Sequence, residues 1–238
     1  MPTPSYAVEC IRNDLIAENI YEVTFTKPEG FSFEAGHFIL FDVPLVGKPE
    51  DIQPRAYSVG SSPEDNELVF AIKLVPNGRM SAYLVRELKP GIKLRMQGPF
   101  GKFTLDRATK KDYIMMCTAT GIAPFRSHLR KYLAEESTRK IDLFFGLLSE
   151  NESFWIADLK AFAQKYPGFA YHVCASKPSD GWQGFKGFVQ EHAASVIPDF
   201  SNKQIYLCGS PLMTKAVKEY AIKEWGVPKE DVKMEGFI

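Results

Sequence analysis

A few short segments carry residue types that could do chemistry. Cys117-Thr118-Ala119-Thr120-Gly121-Ile122-Ala123-Pro124 runs from an apolar stretch into small residues and then a proline. Small side chains let backbone amides approach an anion, and a helix that begins there favours negative charge at its N-terminus. The same residues also make an ordinary tight turn between a strand and a helix. Leu207-Cys208-Gly209-Ser210-Pro211-Leu212-Met213 repeats the arrangement, with Ser210 as a good N-cap and Pro211 as a good first helical residue. Cys208 then sits at a strand end, either facing what the loops hold or buried as a structural thiol. Arg55-Ala56-Tyr57-Ser58 offers a guanidinium fork for phosphate, a flat ring for stacking and a hydroxyl for a ring nitrogen. Gly78-Arg79-Met80-Ser81 precedes a helix whose first amides suit a second phosphate, and Gly98-Pro99-Phe100-Gly101 reads as a turn.

The elements that must position these residues change character along the chain. In the first hundred residues the pattern has period two. Tyr21, Val23 and Phe25 point one way with Glu22 and Thr24 opposite; Leu68, Phe70, Ile72 and Leu74 repeat this, as does the segment from His37 to Val43. Short alternating strands between Gly, Pro and Asp turns predict an antiparallel sheet or small barrel, interrupted by one helix over Met80–Leu88. From Tyr113 on, apolar runs without alternation (Tyr113–Cys117, Ile141–Phe145, Phe169–Ala175, Gln204–Cys208) alternate with helical stretches near Pro124–Glu136, Phe154–Tyr166, Phe185–Val196 and Pro211–Trp225. A last strand is expected at Val232–Glu235. Strict alternation predicts parallel strands joined by crossover helices, a doubly wound α/β domain that binds ligands at the carboxyl ends of its strands. The polar segment Thr104–Asp112 marks the boundary, giving domains at 1–105 and 106–238.

Bulk properties remove several classes. The 238 residues are 45% hydrophobic and 24% charged, ordinary values for one or two globular cores. Lys+Arg and Asp+Glu both number 29, and the portion up to Leu105 holds 11 basic and 13 acidic residues. Neither part has the excess that a phosphate-backbone binder needs, so nucleic acid is not an expected partner. No run reaches the ~20 apolar residues of a membrane span, and the first twenty residues lack the pattern of a secretory leader. Cys10, Cys117, Cys174 and Cys208 are scattered, without metal-ligand or iron–sulfur spacing. A reducing cytoplasm and no metal are the expectation.

Taken together and in this order, the motifs resemble the ferredoxin–NADP reductase family of flavoenzymes from about Tyr6 to the end of the chain. The resemblance implies a flavin-binding barrel followed by a nicotinamide-nucleotide domain. It implies that Arg55 binds the flavin pyrophosphate, Tyr57 beside Ala56 stacks on the ring system and Ser58 reaches its N5. Ile72 and Lys73 match the strand along the flavin, and Gly78, Arg79, Met80 and Ser81 match its phosphate-binding helix start. Thr120, Gly121 and Pro124 match the nucleotide loop. Cys208 and Gly209, with Met213, match the motif that sets a cysteine beside the nicotinamide. Glu235-Gly236-Phe237-Ile238 matches a family ending of Glu-x-aromatic, with Phe237 over the flavin where other members use Tyr or Trp. Ala119 departs from the family, many of whose members have Gly there.

The implied chemistry is hydride transfer between nicotinamide and flavin, followed by single-electron transfer. Ser58, Cys208 and Glu235 would tune geometry and electrostatics. FAD is expected rather than FMN, because two separate anion sites suit a pyrophosphate. Ser176 and Lys177 stand where NADPH-specific members hold the 2′-phosphate, whereas Asp180-Gly181-Trp182-Gln183-Gly184 resembles NADH-using oxygenase reductases. The expected partner is a separate carrier, a ferredoxin or flavodoxin, for which Arg86, Lys89, Lys93 and Arg95 are a candidate docking stretch, with the protein a monomer. Two other readings stay open: an electron-transfer subunit of a larger oxygenase or hydrogenase-type complex, and an NAD(P)H:flavin reductase.

Overall fold

The computed structural model describes residues 3–136 and 138–237. They form two compact units, Met1–Thr104 with Arg126–Lys131, and Leu105–Phe125 with Tyr132–Ile238.

The first unit holds six antiparallel strands: β1 (Ser5–Ala17), β2 (Ile20–Thr26), β3 (Phe38–Leu45), β4 (Lys48–Ser58), β5 (Glu67–Lys73) and β6 (Lys93–Phe100). Their order is β4-β3-β6-β1-β2-β5, a curled, barrel-like sheet. Alternation supplies its apolar interior, where Phe25 lies 4.8 Å from Phe41 and Phe41 5.1 Å from Phe70, ring centre to ring centre. Thr24 departs from the alternation: it is fully buried beside Val23 and Phe25, opposite the irregularity between Cys10 and Arg12 in β1. Edge strand β4 carries Pro49 and Pro54, residues that discourage further pairing. Helix α1 (Arg79–Arg86) buries Met80, Tyr83 and Leu84, and Asn13 Nδ2 donates to Leu84 O and Leu88 O at 2.9 Å each. The segment Arg126–Lys131 joins this unit through Arg126 to Gly60 O (2.8 Å), Ser127 Oγ to Ser61 O (2.7 Å) and Arg130 to Asp65 (3.0 Å).

The second unit is a parallel sheet, ordered β10-β9-β8-β7-β11-β12. Its strands are β7 (Asp112–Thr118), β8 (Ile141–Leu147), β9 (Phe169–Ala175), β10 (Phe185–Lys186), β11 (Lys203–Gly209) and β12 (Val232–Gly236). Helices α2 (Ile122–Tyr132), α3 (Ile156–Lys165), α4 (Val189–Val196) and α5 (Pro211–Lys223) alternate with them. Central strands β7 and β11 are buried on both faces, so they read as unbroken apolar runs. Successive strands add to one side from β7 to β10 and to the other from β11 on, which puts the topological switch between β7 and β11.

The five predicted helices are all somewhat shorter than expected, two of them for a visible reason. The one predicted from Phe185 starts at Val189, because Phe185–Lys186 pairs in parallel with Cys174 and Ala175 and Gly187 turns the chain at φ +117°. The one predicted to reach Glu136 stops at Tyr132. Glu135 and Glu136 would sit unfavourably at a helix C-terminus; they pair instead with Arg107 at 2.8 and 3.3 Å.

Candidate functional site

In the first unit, the end of β4 and the start of α1 carry the candidate flavin residues. Arg55 pairs with Phe41, Tyr57 with Ile39 and Ser58 with Phe38 in the register of β3. The Arg55 guanidinium is held by Gln53 Oε1 (2.9 Å) and Pro54 O (2.8 Å), which fixes its direction before any anion arrives. Tyr57 is half-buried against Phe41, 6.1 Å between ring centres, and burial pushes its phenol pKa up against the pull of Arg55. Ser58 is buried, as is Ile72 of β5, while Lys73 is half-exposed at that strand's end.

The turn before α1 is closed from within. Gly78 N donates to Val75 O (3.1 Å) and Val75 N donates to Ser81 Oγ (2.9 Å). A Cβ on Gly78 would meet Val75 Cγ2 at 2.5 Å and Ser81 Oγ at 2.7 Å. Arg79 is not a loose phosphate ligand: its guanidinium, 9% exposed, donates to Asp51 O (2.6 Å) and Asp51 Oδ1 (3.0 Å). Ala82 N, to Gly78 O at 3.0 Å, is the first amide used inside the helix, so the amides of Arg79, Met80 and Ser81 are the ones a helix start offers to an anion.

In the second unit the candidate residues gather at the carboxyl ends of β7, β11 and β12. Cys208 lies opposite Cys117 of β7 and Glu235 of β12, and Gly209 opposite Gly236. Phe237 N donates to Gly209 O (2.9 Å), which carries the pairing one step past β12. Ile238 lies outside the described residues. Two glycines let the chain pack closely here. A Cβ on Gly121 would lie 2.3 Å from Cys208 O, and one on Gly209, at φ +140°, would lie 2.4 Å from Thr118 Oγ1. Thr118 Oγ1 accepts from Ser210 N at 3.3 Å, and Ser210 Oγ caps α5 by accepting from Met213 N at 3.2 Å. A single 3₁₀ turn, Ala119–Gly121, holds Thr120, and Pro124 is buried in the first turn of α2. Ala119 stands at φ +47°, left-handed backbone where glycine is the easier residue.

Cys208 is fully buried in this structure, and burial, then Glu235 and Cys117, push its thiol well above the ordinary range. It stays protonated at neutral pH, a compact neutral group rather than a nucleophile. Ser176 and Lys177 lie at the end of β9, with Ser176 N bonded to Leu147 O (3.0 Å) and Lys177 N to Leu148 O (2.7 Å). Residues that sequence reasoning passed over are Gln53 and Asp51, which hold the two arginines, and Glu150, which holds the loop after Ser176. A polar, every-second-residue row at 51, 53 and 55 on an edge strand was the available signal for the first two.

The groups expected in these places fit the residues present. Arg55 carries a guanidinium steadied by Gln53 and Pro54, and Gly121 and Gly209 let the ends of β7 and β11 pack closely enough to bring the start of α2 to the switch point of the sheet. Family models match the chain in two pieces, an oxidoreductase FAD-binding domain over residues 9–105 and an oxidoreductase NAD-binding domain over residues 115–219. A ferredoxin–NADP reductase B of Sorangium cellulosum is 31% identical over 227 residues, covering 92% of this chain and 91% of that protein. The chain belongs to the ferredoxin–NADP reductase family. It is an oxidoreductase with an FAD-binding and an NAD-binding domain. A subunit of the Na(+)-translocating NADH-quinone reductase of Neisseria meningitidis is 30% identical over 281 residues, covering 96% of this chain and 67% of that protein. The fold matches a Neisseria gonorrhoeae ferredoxin NADP+ reductase solved with FAD and NADP, at TM-score 0.86, 20% identity and 98% coverage of both chains. It also matches an Amycolatopsis cytochrome P450 reductase at TM-score 0.87 and 23% identity, covering 99% of this chain and 71% of that one.

Proposed function

We propose that this member of the family oxidises NADPH or NADH and passes the electrons singly to a separate ferredoxin or flavodoxin. The loop at the carboxyl ends of β7 and β11, where Gly121 packs on the Cys208 backbone and α2 begins, carries this reading most directly. It lies at the switch point of the parallel sheet, where an open α/β fold binds its ligand. When bound, FAD takes a hydride from the nicotinamide and gives up its electrons one at a time.

The chain's own residues bind and align. Arg55 would neutralise the flavin pyrophosphate with a charge-assisted fork, joined by the amides of Arg79, Met80 and Ser81, with Gly78 keeping that turn tight. Arg79 itself serves by tying the helix start to Asp51. Tyr57 would supply a stacking surface for the ring system, Ser58 a hydroxyl for its N5, and Ile72 and Lys73 the neighbouring strand. Thr120 and Gly121, with Pro124 fixing the start of α2, receive the nucleotide pyrophosphate. Cys208, Gly209 and Met213 would border the nicotinamide, Glu235 would supply a carboxylate there, and Phe237 would offer a ring that competes with it. Ser176 and Lys177 take the 2′-phosphate. The reading as a freestanding reductase goes with a monomer in the cytoplasm. Among the described residues no helix is long and apolar enough to cross a membrane.

The relatedness to a component of a quinone reductase supports a second reading, in which this chain relays electrons inside a larger assembly. The visible spectrum of the purified protein, before and after NADPH or NADH, tests the first. A flavin spectrum bleached by either nucleotide, with FAD identified by chromatography after heat release, is the expected result. A colourless protein that FAD does not reconstitute refutes it, and reduction that occurs only in a co-purifying complex favours the second reading.

A further inference from the structure

Hydrogen bonds knit together the two loops at the carboxyl ends of β8 and β9. Besides the Ser176 and Lys177 amides bonded to Leu147 O and Leu148 O, Leu148 N donates to Glu152 Oε2 at 3.4 Å. Ser179 N lies 3.2 Å from each carboxylate oxygen of Glu150, in the single 3₁₀ turn that follows β8. Hydrogen bonds from the Ser179 side chain, then from the backbone, hold the Glu150 carboxyl below the usual carboxylate range, so it is ionised at neutral pH. Lys177, two residues before Ser179, is exposed and forms no ion pair among the described residues. The two joined loops thus carry an exposed cation and an ionised carboxylate that it does not neutralise. Glu150 is bound to the backbone rather than to Lys177.

We propose that Glu150 sets the choice between the two nicotinamide nucleotides: it anchors the Ser176–Ser179 turn, and its charge opposes a 2′-phosphate, so the preference of Lys177 for NADPH is held down and NADH is retained as a substrate. The proposal rests on the assignment of the nucleotide's 2′ end to Ser176 and Lys177. NADH and NADPH differ only in that phosphate. By anchoring the turn Glu150 positions Ser176 and Lys177, so losing that anchor weakens the phosphorylated ligand at least as much as the other, whereas losing the charge alone strengthens only the phosphorylated one.

Two substitutions separate these effects. Glu150→Gln keeps an oxygen to accept from Ser179 N and removes the charge; Glu150→Ala removes both. Calorimetric titration with AMP and 2′-phospho-AMP reads the site without any redox step. With Glu150→Gln, 2′-phospho-AMP should bind about three- to tenfold tighter and AMP within about twofold of the parent, and the gain should shrink in high salt as screening shortens. With Glu150→Ala, both ligands should bind more weakly than to the Gln variant, 2′-phospho-AMP by at least as large a factor as AMP. The exposed Asp180, next in the loop, is the comparator: Asp180→Asn should move the ratio of the two affinities by less than about twofold. The NADPH to NADH ratio of kcat/KM should follow the affinities. A ratio unmoved by Glu150→Gln, or moved equally by Asp180→Asn, overturns the proposal. Lys177→Ala tells the two failures apart. If it lowers the ratio while Glu150→Gln does not, Glu150 alone is refuted; if neither moves it, the loop does not read the phosphate and the assignment beneath the proposal falls too.

Discussion

At the turn where β7 leaves the sheet, the backbone and the side chains disagree at one position and agree tightly at another. Ala119 holds φ +47°, while Gly121 lies so close to β11 that an added Cβ would be 2.3 Å from Cys208 O and 2.8 Å from Gly209 Cα. The left-handed conformation costs an L-residue ~1–2 kcal/mol, and glycine returns ~0.5–1 kcal/mol of that as unfolded-state freedom. Ala119→Gly should therefore stabilise by about 0.5–1 kcal/mol. Gly121→Ala does the reverse: its methyl meets backbone, not a flexible side-chain end, and overpacking of this kind costs ~1–3 kcal/mol or more. At roughly 3–5 °C per kcal/mol for a unit of this size, the first raises the melting temperature by about 2–5 °C and the second lowers it by about 3–15 °C. Differential scanning calorimetry of both variants, with and without NADP⁺, checks this. Nucleotide affinity should hold or improve in Ala119→Gly and fall about tenfold or more in Gly121→Ala, as the ends of β7 and β11 part to make room. A lower melting temperature for Ala119→Gly, or one within a degree of the parent for Gly121→Ala, refutes the argument.

Arg55→Ala removes a charge-assisted contact of ~1.5–3 kcal/mol and should weaken FAD about ten- to hundredfold, read by fluorescence titration of the apoprotein; an unchanged affinity removes Arg55 from the site. His128 is fully buried with Nε2 2.9 Å from Phe103 O, and burial pushes its pKa down from 6.5 to about 4. The unfolded chain therefore takes up a proton as pH drops through 6.5 while the native one waits until about 4. Stability present at pH 7 is lost on going down, by roughly 2 kcal/mol at pH 5. Urea melts at the two pH values should show this loss in the parent and a loss smaller by that amount in His128→Gln; equal losses would exclude His128 as the source. Phe237→Ala should tighten NADP⁺ and NAD⁺ alike by about two- to tenfold, since a stacked ring is worth ~0.5–1.5 kcal/mol beyond its buried area. Difference-spectrum titration reads it, and identical dissociation constants would mean that Phe237 does not compete with the nicotinamide.

Local rules carried much of this molecule. Alternation at Leu68, Phe70 and Ile72 reports a sheet with one buried face, because side chains of a strand point to opposite sides in turn. The unbroken runs of β7 and β11 report strands covered on both faces, and Ser210-Pro211 marks where α5 begins because capping needs only neighbours in sequence. Long-range pairing decided the rest. Cys208 stands between Cys117 and Glu235 only through the registers of β7, β11 and β12, which join residues 91 and 27 apart in sequence. Asp51 reaches Arg79 across 28 residues, and Glu150 reaches Ser179 across 29. No periodicity records such contacts, since each depends on where two distant segments come to lie. The same holds for Ala119, whose identity argues against a left-handed turn. The closeness of Gly121 to the Cys208 carbonyl leaves the chain little room for another path between β7 and α2, and packing there outweighs a local preference worth ~1–2 kcal/mol.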